Sequence, residues 1–158
     1  MKAKFQRVDE AERPTAEILD RRPPCNLEAE MGVLGSIFLL PDCADEVVMI
    51  VRADDFYDEA NRKLFEHMVR LHDSGRKVDL TLLSEQLKSD GDYDFIGGAA
   101  YLARVLNSVP NAAHAEHYAQ IVAAKSINRN LITAATDILR DAYDENDQAD
   151  RLVSRAEE

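Results

Sequence analysis

A chain of 158 residues, 46% hydrophobic and 31% charged, is long enough for one domain and too apolar to be generically disordered. Six basic and five acidic residues fall in residues 1–25, which leaves thirteen basic against twenty-five acidic in the remainder of a chain whose net charge is -11. Nucleic-acid affinity comes largely from Lys and Arg neutralising phosphates, so this acidic body predicts weak or no direct DNA binding and favours solubility or a basic protein partner.

Residues 1–22 alternate charges, carry little apolar surface and read as a tail. Their start has no apolar stretch of the kind that opens a signal peptide. Pro23-Pro24 favours extended backbone, and Asn26 then fits an N-cap. Leu27, Met31, Leu34, Ile37 and Phe38 recur at helical spacing over residues 27–40, with Glu28 and Glu30 in the first turn, where the helix dipole favours negative charge. Gly32 and Gly35 each cost a helix about 1 kcal/mol against Ala, which implies close approach of a neighbouring helix as compensation. This apolar run is too short to span a bilayer.

A second helix is predicted over 43–52, with Val47, Val48, Ile50 and Val51. Asp54-Asp55-Phe56-Tyr57 reads as a tight turn with its aromatics pointing inward. Residues 58–74 give the clearest helix, with Leu64, Phe65, Met68 and Leu71 on one face and Gly75 as its stop. Another helix over about 81–89 is capped by Thr81 or Asp79 and turns Leu82, Leu83 and Leu87 inward. Residues 90–98 form a glycine-punctuated loop, 99–108 a helix with Tyr101, Leu102, Val105 and Leu106, and Pro110-Asn111 a break.

From 112 to 143 the pattern is helical throughout. Tyr118, Ile121 and Val122 form one part of its apolar stripe, and Leu131, Ile132, Ala135, Ile138, Leu139 and Ala142 form the other. The stripe fades over 125–130. One long helix fits, and so does a hairpin turning near Ser126, which could cap a second arm. The second group spans too broad an arc for one partner helix, so part of it is a candidate interaction surface. Residues 144–149 are polar and acidic, a linker, after which Leu152 and Val153 begin another amphipathic piece.

Candidate chemistry is thin. Cys25 and Cys43 form no CxxC pair, and reduced thiols of a cytoplasmic protein explain them. His114 and His117, with Glu116 between them, fall short of the four ligands zinc takes, and His67 and His72 lie far away in sequence. Asp54-Asp55 is better explained as turn capping than as an acid-base pair. Gly97-Gly98 is better explained as a loop that starts a helix than as a phosphate cradle. None of the six glycines is followed by Lys, so the G-x-x-x-x-G-K-[ST] loop that cradles nucleotide phosphates is missing. No catalytic, cofactor-binding or metal-binding residue is assigned.

Five segments in order resemble the N-terminal domain of DnaB-type bacterial replicative DNA helicases. They are Pro23-Pro24-Cys25-Asn26-Leu27-Glu28-Ala29-Glu30 running into Val33-Leu34-Gly35, then Asp54-Asp55-Phe56-Tyr57 with Leu64-Phe65, then Val78-Asp79-Leu80-Thr81. Gly97-Gly98-Ala99-Ala100-Tyr101-Leu102 follows, and last Val109-Pro110-Asn111-Ala112-Ala113 leading into Tyr118-Ala119-Gln120-Ile121-Val122. The resemblance covers 23–143. It departs at Asn61, where the family often has His, and at His114, where it often has Asn.

The resemblance implies an all-α fold: a compact head of about six helices over 23–110, then a helical hairpin over 111–143. Residues 144–158 would begin a linker to a C-terminal ATPase domain, where ATP and Mg would bind. It implies that hairpins pair into dimers, that six domains form a collar over the motors, and that the C-terminal helicase-binding domain of primase docks here. By the same resemblance, primase contact falls on Tyr101, Ile132, Ile138, Leu152 and Glu30. Leu131, Ala135 and Leu139 complete the primase or subunit interface. A free-standing helical adaptor without a motor, and a small helical metal-binding protein, are the alternative readings.

Overall fold

The computed structural model describes residues 20–143 and Ser154. Six α-helices follow in order: α1 (Leu27–Leu39), α2 (Ala44–Val47), α3 (Glu59–Asp73), α4 (Leu80–Asp90), α5 (Gly98–Leu106) and α6 (Ala115–Tyr143). Short 3-10 turns at Pro41–Cys43 and Ala53–Asp55 join them, and no strand occurs among the described residues.

Helix α1 is the central strut. The Asn26 side chain accepts from the Ala29 amide at 2.9 Å and starts it. Ala29, Glu30 and every residue from Gly32 through Ile37 are buried, so α1 is covered on all sides rather than along one stripe. It packs most extensively against α6, then against α5 and α3. The two glycines permit this. A Cβ on Gly32 would sit 2.8 Å from the Tyr118 ring of α6, and one on Gly35 would meet the Val105 carbonyl oxygen of α5 at 2.8 Å. Their helix-propensity cost is the condition for three helices to pack this closely.

Side-chain caps fix the next elements. Asp58 accepts from the Asn61 amide at 3.0 Å at the start of α3, and Asp79, not Thr81, accepts from Leu82 at 2.9 Å at the start of α4. Helix α3 buries Leu64, Phe65, Met68 and Leu71 on one face, as its periodicity predicts. Gly91 closes α4 at φ 79, and Gly97 (φ 99) opens α5.

Four expectations need correction. The helix expected over 43–52 is a 3-10 turn and the four-residue α2, which suffice to bury Cys43, Ala44, Val47 and Val51 while Met49 stays 85% exposed. Phe56 is buried but Tyr57 is 37% exposed, because Phe56 lies in extended backbone, where successive side chains point to opposite sides. Leu83 and Leu87 face inward, whereas Leu82 lies off their side of α4 and is half-exposed. Most consequentially, Ala115–Tyr143 is one 29-residue helix with no turn near Ser126. No Gly or Pro interrupts it, and Ser126 is buried in the same row as Ala115, Ala119 and Val122. The apolar stripe fades there only because the head-facing residues are Ala and Ser.

The candidate interaction face of α6 and the polar network behind it

At 3.6 residues per turn each step along a helix rotates about 100°, which divides α6 into two sides. Ala115, Ala119, Val122 and Ser126 fall within an arc of about 60° and lie against the head. Ile127, Leu131, Ile132, Ala135, Ile138 and Leu139 occupy an arc of about 140°, centred on the opposite side. Ile127 and Leu131 are each 66% exposed and Ile132 is 49% exposed; Ala135 is exposed, while Ile138 and Leu139 are half-buried. The arc is wider than one partner helix covers. Exposed apolar surface gathered on one side of a helix makes this face a candidate interaction surface.

The expected contact residues thus divide. Leu131, Ile132, Ala135, Ile138 and Leu139 share this face of α6. Glu30 and Tyr101 do not, and their expected place on the surface is corrected: they are 1% and 5% exposed. Leu152 lies outside the described residues.

Glu30 is the centre of a buried network. One carboxylate oxygen accepts from the Tyr57 amide at 2.7 Å. The other accepts from the Asp58 amide at 3.2 Å and from the Asn61 side-chain amide at 2.8 Å. The Asn61 carbonyl oxygen accepts in turn from the Tyr101 hydroxyl. A carboxylate buried in a helical core is tolerated because every contact it makes is with a donor. Burial pushes the Tyr101 hydroxyl well above its usual pKa, with the nearby Asp58 charge adding to the effect, so it stays a protonated donor. Three elements are joined this way: α1 through Glu30, α3 through Asn61 and α5 through Tyr101.

Arg129 of α6 lies beside this network. Its guanidinium donates to the Pro24 carbonyl at 2.9 Å and to the Asp55 carbonyl at 2.6 Å, and it lies 5.6 Å from the Tyr57 ring centroid. Neither Asn61 nor Arg129 stands out in the sequence. Arg129 could have been found by spacing alone, since it continues the row 115, 119, 122, 126 in steps of four and three. Asn61, noted only as a departure from a common His, carried no local signal.

A second polar cluster ties α3 to the α4–α5 loop. His67 is buried; its Nε2 is 3.0 Å from Asp92, and its Nδ1 is 2.9 Å from the Gln86 side-chain amide. Because the Gln86 amide is a donor, Nδ1 accepts and Nε2 carries the proton that Asp92 receives. This hydrogen bond, with Lys63 at 3.5 Å, holds the Asp92 carboxyl below the usual carboxylate range. Burial, reinforced by the charges of Glu46 and Asp42, raises the Cys43 thiol to about 11. Among the described residues no group of three or more His, Cys, Asp or Glu is arranged to hold a metal ion. No helix among them is long and apolar enough to cross a membrane.

Comparison with known proteins gives a consistent result. The family model of the DnaB-like helicase N-terminal domain matches residues 22–124. The chain is 43% identical over 138 residues to the replicative DNA helicase DnaC of Bacillus subtilis, covering 87% of this chain and 30% of that protein. It therefore spans under a third of the length of that relative. The crystal structure of the N-terminal domain of DnaB helicase from Mycobacterium tuberculosis superposes with a TM-score of 0.81 at 34% identity, covering 86% of this chain and 96% of that one. The N-terminal domain of DnaB helicase from Helicobacter pylori, described with its interactions with primase, gives 0.65 at 25% identity over 73% and 90% of the two chains. Order of motifs, all-helical fold and close structural kinship agree, and the chain belongs to the DnaB-like helicase N-terminal domain family.

Proposed function

We propose that this chain is the non-catalytic assembly and docking part of a replicative DNA helicase, working in the cytoplasm. It would pair through α6 and hold six motors in register. It would offer the remaining apolar surface to the C-terminal domain of primase. ATP and Mg would be bound by a separate motor domain, since this chain lacks a glycine-lysine phosphate loop.

The observation that carries this reading is the wide apolar arc on the side of α6 turned away from the head. Interfaces depend on a few desolvated apolar anchors inside a polar rim, and an arc of about 140° has room for a subunit on one flank and a different partner on the other. The kinship with the Helicobacter pylori domain supports primase as that partner. Light scattering on the chain, alone and mixed with the cognate primase C-terminal domain, tests both parts. A dimer that gains mass with primase is expected. Ile138→Ala and Ile132→Asp should weaken the mixed complex at least tenfold while leaving helicity intact. A lone monomer that ignores primase would overturn the proposal.

A further inference from the structure

We propose that Arg129 is a positioning residue that sets the direction in which α6 leaves the head, and that Glu30 and Tyr101 act on the docking face only through it. The consequence for partner binding rests on the docking function proposed above; the positioning itself does not. Three observations converge. Buried residues of α6 end at Ser126, and Arg129, the next position of the same head-facing row, bonds into the head. Its two donors reach carbonyls from two separate segments, Pro24 before α1 and Asp55 before α3. A planar fork bonded at both prongs fixes direction as well as distance.

The third observation is what stands behind those segments. Arg129 also lies over the Tyr57 ring, and the Tyr57 amide is the one held by Glu30 at 2.7 Å. From Glu30 the bonds pass to Asn61 and then to Tyr101. An unbroken series of contacts therefore runs from α5 through α3 and α1 to the 55–58 segment, and from there to Arg129 on α6. Loss of the Tyr101 hydroxyl frees the Asn61 side chain, loosens Glu30, and lets the 55–58 segment shift under Arg129. Residues 74 and 105 positions apart in sequence from Arg129 are thereby in direct register with it.

Pulsed electron spin resonance on the full chain tests this. Spin labels are placed at Glu85→Cys on the head and Arg140→Cys on α6, both exposed, with Cys25→Ser and Cys43→Ala in the background. Labelled chain is diluted in unlabelled chain so that only distances within one molecule are read. One narrow distance distribution is expected for this parent. Arg129→Ala should broaden it at least twofold, and Tyr101→Phe should broaden it less but in the same sense. Arg129→Lys, which keeps the charge and loses the fork, should also broaden it and serves if the Ala variant fails to fold. Ile138→Ala should leave the distribution unchanged while weakening primase binding. Parent-like widths in the folded Arg129 variants would sink the positioning role, and a parent-like Tyr101→Phe would sink the relay to α5. If Ile138→Ala binds primase normally, the docking function fails, and the Arg129 distances still decide the positioning role by themselves.

Discussion

Glu30→Gln separates a residue that holds the core together from one that merely faces a partner. The wild-type carboxylate accepts three hydrogen bonds and donates none. A glutamine must place an NH2 group where one of its oxygens stood. Turned one way, that group faces the Tyr57 amide; turned the other, it faces two donors, Asp58 and Asn61. If Asn61 turns to offer its oxygen instead, the Tyr101 hydroxyl loses its acceptor, so the mismatch moves rather than disappears. The cheaper orientation still loses one bond to a charged acceptor and leaves a buried donor unpaired, a cost of about 2–4 kcal/mol. For a chain of this size that lowers Tm by about 5–15 °C. The assay is thermal unfolding followed by circular dichroism at 222 nm, at neutral pH. An exposed contact residue would change stability by about 0.5 kcal/mol or less. A Tm within 2 °C of wild type would therefore refute the network as the reason Glu30 is there.

Three further outcomes are expected. Gly35→Ala gains about 1 kcal/mol of helix propensity but drives a Cβ to 2.8 Å from the Val105 carbonyl, a backbone atom that cannot swing aside, so a net loss of about 1–2 kcal/mol should appear in urea unfolding. Gly91→Ala, with open space around it at φ 79, should lose about 1 kcal/mol from the left-handed backbone alone, and a more stable Gly35→Ala would contradict the close-packing argument. The third concerns pH. The folded-state pKa of Asp92 lies below the unfolded value of 3.8, so the stability it adds is present above 3.8 and is lost as pH falls through the lower, folded value. Asp92→Asn should therefore be less stable than wild type at pH 6, with the gap closing in strong acid; a gap of constant size down to pH 2 would contradict the assignment.

Much of the fold was legible in local pattern. Asn26 and Asp79 cap helices as their residue types and positions suggest, and the two glycines of α1 mark the places where other helices press against it. The apolar face of α6 was also visible, because exposed and buried sides alternate with the helical period. What spacing could not reveal was pairing across the chain. Glu30 looked like an acidic first-turn residue serving the helix dipole, yet its partners lie 27, 28 and 31 residues away. Tyr101 lies among the apolar residues of its helix, but nothing within a few residues of Glu30 marks it as a buried hydrogen-bond centre. The turn expected near Ser126 is absent for a related reason: a row of Ala and Ser facing the head resembles a gap in an apolar stripe, and only the neighbour it packs on shows otherwise.

The uninterrupted length of α6 has a mechanical corollary. At a rise of 1.5 Å per residue the helix is about 43 Å long, and some 21 Å of it lies beyond Arg129. Over such a lever arm a tilt of 10° at the base carries the tip sideways by about 4 Å, roughly the width of a side chain. Angular error too small to disturb any bond in the head would be magnified into a misfit at the far end.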